Sequence, residues 1–113
     1  MLQEDLKAQI VASIKKTNPC KIILFGSHAY GAPGKDSDID LLVVTDDEFL
    51  PQNFSDKNKI YLRVADTITE IEKRIPIDLI VHTKAMHRKF NELNSMFARK
   101  IATFGVVLYE KHL

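Results

Sequence analysis

The sequence has 113 residues, 45% hydrophobic and 27% charged, a balance that suits one globular domain and excludes a chain disordered throughout. Lys plus Arg number 16 and Asp plus Glu 15, a formal charge of +1, which argues against a protein held on nucleic acid by bulk charge. The single cysteine, Cys20, excludes an internal disulfide framework, and no apolar run approaches the ~18 residues that cross a bilayer.

Residues 1–113 are expected to form one domain, since no repeat, low-complexity tract or linker divides them. Leu6, Ile10 and Ile14 recur at helical spacing over residues 3–17, and Pro19 stops the pattern. The charges Glu4, Asp5, Lys7, Lys15 and Lys16 leave no apolar stretch of the signal-peptide type there. With the lone thiol they predict a reducing cytoplasm and no membrane contact.

Lys21 to Phe25 is a short apolar strand candidate, and residues 26–37, with three glycines and a proline, form a loop. Asp38 to Val44 reads as a second strand, and residues 45–56, polar around Pro51, as another loop. Ile60, Val64, Ile68, Ile71 and Ile75 predict a second helix, capped by Ser55 and ending near Arg74 because Pro76 disfavours helix before it. Ile77 to His82 is a third strand. Met86, Phe90, Leu93, Phe97 and Ile101 predict one third helix, and Gly105 breaks to a last strand, Val106 to Tyr109.

The order α-β-β-α-β-α-β predicts an α+β fold, a small mixed sheet with helices packed on it. The first two strands have no helix-length segment between them and should pair antiparallel. Strands two and three are joined by a helical crossover, which permits parallel pairing. Leu41 and Val43 occupy one parity of strand two and Leu42 and Val44 the other, as in a central strand covered on both faces.

The acids at the head of that strand carry the chemistry. Side chains alternate along a strand, so Asp38 and Asp40 share a face, with Cα atoms roughly 6.6–6.8 Å apart. Asp is depleted in strands. Asp36 and Ser37 fit an ordinary polar turn, but two acids on a covered strand need a purpose. Asp78 stands at the start of another apolar strand, and parallel pairing can align it beside them. Three carboxylates repel, by about 4 kcal/mol per pair at ~4 Å and an effective dielectric of ~20. A divalent cation relieves that repulsion, and Mg²⁺ commonly binds through one or two carboxylates plus substrate phosphates. Gly26-Ser27 ends the first strand at the same place. Gly lets backbone N–H groups approach a ligand, Ser adds a hydroxyl, and a helical turn after Ser27 favours an anion.

Gly26-Ser27, ten intervening residues, Asp38-x-Asp40 and a later strand-borne Asp78 together resemble the nucleotidyltransferase superfamily of DNA polymerase β. The Gly-Ser-x-Ala-x-Gly opening and short length are similar to its minimal nucleotidyltransferases. The resemblance implies that Gly26 and Ser27 hold a triphosphate, that Asp38 and Asp40 bind Mg²⁺, and that Asp78 completes the site as metal ligand or base. It implies transfer of a nucleoside monophosphate, AMP from ATP, to a hydroxyl, with two cations serving the attacking and leaving oxygens. Many relatives carry Arg where this chain has His28 and Tyr30. Similar minimal proteins are antitoxins beside HEPN-domain toxins, some of which they adenylylate, so a HEPN toxin is the implied partner. A contact-only antitoxin and a small-molecule adenylyltransferase are the alternatives, and an oligomer is left open.

Of the other residues, His28 could reach a phosphate or the acceptor. His82 shares the parity of Asp78 but reads as a strand-end residue, and His87 and His112 as solvated. Lys57, Lys59 and Arg63 read as a solvated helix face, and Met86, Phe90, Met96 and Phe97 as core.

Overall fold

A computed structural model of the chain describes residues 2–31, 33–34 and 37–112. Asp36, read above as part of a polar turn, lies outside the described residues. The first helix, α1 (Glu4–Ile14), buries Ile10 and Ile14 completely. It tightens into a 3₁₀ turn at Lys15–Thr17, where the Thr17 hydroxyl donates to the Ile14 carbonyl at 2.8 Å. Asn18 then takes a left-handed conformation (φ 55°), which a short polar side chain tolerates, and the chain leaves the helix at Pro19.

Strands β1 (Lys21–Phe25), β2 (Ile39–Val44), β3 (Ile77–His82) and β4 (Val106–Glu110) form one sheet in the order β3-β2-β1-β4. β1 pairs antiparallel with β2 and β4, and β2 pairs parallel with β3, as the connections predict. The alternation of β2 divides the interior into two layers. Ile39, Leu41 and Val43 enter a core with Ile10, Ile14, Ile60, Val64 and Ile71, under α1 and the crossover. Leu42 and Val44 enter a second core with Ile23, Phe25 and Ile101. Burying one such aliphatic side chain is worth about 1.5–3 kcal/mol, so β2, covered on both faces, anchors the sheet.

The crossover is not one helix. It comprises α3 (Phe54–Ala65), a 3₁₀ turn at Asp66–Ile68 and α4 (Thr69–Glu72). The Thr67 hydroxyl donates to the Val64 carbonyl at 2.7 Å, a local bond that competes with the helical ladder. Its cap is Asn53 rather than Ser55: the Asn53 side chain accepts from the Asp56 N–H at 2.8 Å.

The segment after β3 also departs from expectation. One apolar period runs through it, but α5 (Lys84–Leu93) and α6 (Met96–Phe104) are separate. Asn94 takes a left-handed φ of 49° and Ser95 caps α6 by accepting from the Ala98 N–H at 3.0 Å. The break exposes Leu93 and Met96 (74% and 80%) and leaves Phe97 at 43%, so Met96 is not core. Among the described residues no helix is long and apolar enough to cross a membrane.

Candidate active site

Strand registry assembles the site. In the antiparallel pair Phe25 stands opposite Asp40, and in the parallel pair Asp40 stands opposite Asp78. Asp40 has the parity of Leu42 and Val44, so it projects toward the layer that holds Ile101 and Phe90. Asp78 has the parity of Ile80, which packs against that same layer. Asp38 immediately precedes β2. Asp38 and Asp78 are exposed and Asp40 is half-buried, so the acids form the mouth of the sheet rather than part of its interior.

Burial raises the Asp40 carboxyl above its ordinary value. The negative charges of Asp78 and then Asp38 raise it further, and the His28 ring opposes them. Both acids therefore stand close enough to act on Asp40. Among the described residues, no three His, Cys, Asp or Glu side chains are drawn together into a ready metal cage. The donor set still fits a hard divalent cation: it offers only oxygen, and its central acid carries an excess of negative potential that a cation would lower.

Gly26 forms the floor. Its φ of 72° is a conformation that side chains resist, and a Cβ there would lie 2.0 Å from Asp40 Oδ2. The Gly26 backbone thus lies directly against the Asp40 carboxylate. The chain then turns into a short helix, α2 (Ser27–Tyr30), within the segment read from the sequence as a loop that could open on a helical turn. The Ala29 and Tyr30 N–H groups return to the Gly26 carbonyl at 3.0 and 3.2 Å. The two earlier N–H groups of that turn have no partner within it, as at any helix start. His28 Nε2 donates to the Ser37 carbonyl at 3.2 Å, tying α2 to the segment that leads into Asp38.

The structure thus brings Gly26, Ser27, Asp38, Asp40 and Asp78 to one end of the sheet. It also gathers residues that periodicity assigned elsewhere. His87 is half-buried rather than solvated, and its Nδ1 lies 3.1 Å from His82 Nδ1 at the opposite end of β3. Burial lowers His82 to about 4, helped by the charges of His87 and Lys57. Arg63 pairs with Asp47, and Asp46 binds both Lys84 (2.9 Å) and Lys111 (3.2 Å), so that end of the sheet is a network of paired charge.

Helix α6 lies along the acidic end. Phe97 packs edge-on against Phe25 at 5.5 Å between ring centroids, and Phe104 lies 5.7 Å from the Tyr30 ring of α2. Lys100 Nζ sits 5.2 Å above that same ring. Only the 97-100-104 spacing, one helix face, could have signalled this in the sequence.

The family model "Polymerase beta, Nucleotidyltransferase" matches residues 8–112. No curated protein matches the chain. Among solved structures, a toxin–antitoxin with AMP-PNP is similar at 18% identity over 94% of this chain and 74% of that one, with a TM-score of 0.60. The toxin–antitoxin MntA–HepT is 16% identical over 96% of this chain and 74% of that one, with a TM-score of 0.57. A complex of a tri-AMPylated Shewanella oneidensis HEPN toxin with an MNT antitoxin is 17% identical over 97% and 74%, with a TM-score of 0.56. At these identities the likeness is one of fold.

Proposed function

The chain belongs to the polymerase beta nucleotidyltransferase family, and from that premise we propose that it transfers a nucleoside monophosphate, AMP from ATP, to a hydroxyl of a partner protein, as the cytoplasmic antitoxin of a HEPN/MNT pair. The observation that carries this reading is the alignment of Phe25, Asp40 and Asp78 across three neighbouring strands, with the Gly26 backbone against the Asp40 carboxylate. The three toxin–antitoxin structures above support the choice of partner, and the one with AMP-PNP supports the choice of nucleotide.

Asp38, Asp40 and Asp78 would hold Mg²⁺, which supplies charge neutralisation and a more acidic attacking hydroxyl. Gly26 and the first turn of α2 receive the phosphates on backbone N–H groups, with the Ser27 hydroxyl as a further donor. The acceptor oxygen forms a bond to the α-phosphorus, the α–β phosphoanhydride bond breaks, and pyrophosphate leaves with the electron pair. Asp78, exposed at the mouth, accepts the hydroxyl proton. Asp40 holds the centre of the site between Phe25 and Asp78.

Label transfer tests the reading. The protein is incubated with Mg²⁺ and ATP labelled on the α-phosphate in a lysate of its source cells, beside the Asp38→Asn/Asp40→Asn variant. A labelled protein band that requires the intact acids is the expected result. The exposed apolar residues Leu93 and Met96 favour a second reading, a module that neutralises its partner by contact alone. Absence of label, with full neutralisation by the doubly substituted chain, would replace the first reading by the second.

A further inference from the structure

Several cations around the sheet are matched by acids. Lys21 pairs with Glu110, Arg63 with Asp47, Arg88 with Glu48, and Lys84 and Lys111 with Asp46. Lys100, like Lys15 over the Tyr109 ring, rests its ammonium on an aromatic face, the Tyr30 ring, with no carboxylate within ion-pair distance among the described residues, but Lys100 alone of the two does so beside the turn that follows Gly26. Two packing contacts fix where that cation stands. One helical turn before it, Phe97 seats on Phe25, the residue opposite Asp40 that directly precedes Gly26. One turn after it, Phe104 seats on Tyr30, the last residue of the short helix that opens at Ser27. Lys100 is therefore suspended between the strand end that bears the acids and the turn that follows Gly26.

We propose that Lys100 is a phosphate-binding residue of this site, which swings from the Tyr30 ring onto the β- and γ-phosphates of a nucleoside triphosphate and holds the departing pyrophosphate. The inference rests on the nucleotidyltransferase reading above and adds to it a residue from an element outside the Gly-Ser and Asp-x-Asp segments. A lysine suits the task. Its ammonium is a compact point charge on a flexible stem, able to exchange a π face for a phosphate oxygen. Tyr30 positions it in the resting protein, and Phe104 braces Tyr30. The assignment makes Lys100 specific for the triphosphate, because AMP lacks the groups it reaches.

Calorimetric titration of the full chain with α,β-methylene-ATP and with AMP, each with Mg²⁺, tests this. Lys100→Gln should weaken the triphosphate analogue by about tenfold, as loss of a charge-assisted contact does, and leave AMP within about twofold. Lys100→Arg should recover most of the loss. Equal affinity of wild type and Lys100→Gln for the analogue would overturn the inference, as would an equal loss for AMP. Loss of analogue binding in Asp38→Asn/Asp40→Asn but not in Lys100→Gln would overturn the inference while sparing the nucleotidyltransferase reading. No binding by the wild type would overturn both.

Discussion

Replacing Asp40 by Asn should make the metal-free protein more stable, although it removes a central residue of the site. Asp40 and Asp78 are register partners on neighbouring strands, and such strands lie about 4.8 Å apart. Two unit charges about 5 Å apart repel by about 3 kcal/mol at an effective dielectric of about 20 and by about 1 kcal/mol in water. Asp38 and Asp78 are exposed, so solvent screening brings the relief near the lower figure, about 1 kcal/mol. In a domain of this length that is a rise of about 4 °C in melting temperature.

The pH dependence of this effect has a definite sign. Burial and the neighbouring acids raise the Asp40 carboxyl above its ordinary value, so the folded chain keeps this proton at a pH where the unfolded chain has lost it. Stability therefore falls as pH rises through that window, and an Asn, which does not ionise, escapes the loss. Melting curves in chelator should show the variant ahead at pH 7.5 and level with wild type below the window. With Mg²⁺ and ATP the advantage should shrink, because a cation relieves the same repulsion. A variant that melts lower than wild type in chelator at pH 7.5 would refute the crowding of these carboxylates.

Two further outcomes follow from single residues. Gly26→Ala places a Cβ against Asp40 Oδ2 in a left-handed backbone, and should lower stability by about 1–3 kcal/mol in urea unfolding while abolishing label transfer. His82 is buried and titrates near 4 rather than near 6.5. The unfolded chain thus takes up a proton that the folded chain refuses, and stability should drop as pH falls from about 6.5 toward 4, by at most about 3 kcal/mol. His82→Gln should flatten that slope in melts between pH 7.5 and 5, and an unchanged slope would assign the loss to other groups.

The candidate site was legible because its parts are short and local. Gly26-Ser27 and Asp38-x-Asp40 lie at the ends of apolar runs, and β1 and β3 begin and end where those runs do. The helices were less legible. Apolar periodicity continues through Thr67 and through Asn94-Ser95, so the breaks depend on side-chain bonds to the backbone that a hydrophobic pattern does not register. His87, read as solvated, is flanked on α5 by the exposed charges of Arg88 and Lys89. Its burial comes from packing against His82 and Phe90, which β3 and α5 bring together.

By itself the sequence predicts that Asp38 and Asp40 share a face, since side chains alternate along an extended backbone, although the strand itself begins one residue after Asp38, at Ile39. It also determines that β2 is central, because apolar residues on both parities of a strand are stable only when both faces are covered. That Asp78 stands opposite Asp40, and Phe25 on its other side, is decided by strand registry, which holds the apolar rows of three strands in step. The surroundings of the acids belong to tertiary structure alone. α6 reaches α2 through Phe97 on Phe25 and Phe104 on Tyr30, contacts between segments far apart in the chain that no local pattern encodes. Those contacts fix the position of Lys100, because a side chain's partner is set by which surfaces the two cores bring face to face.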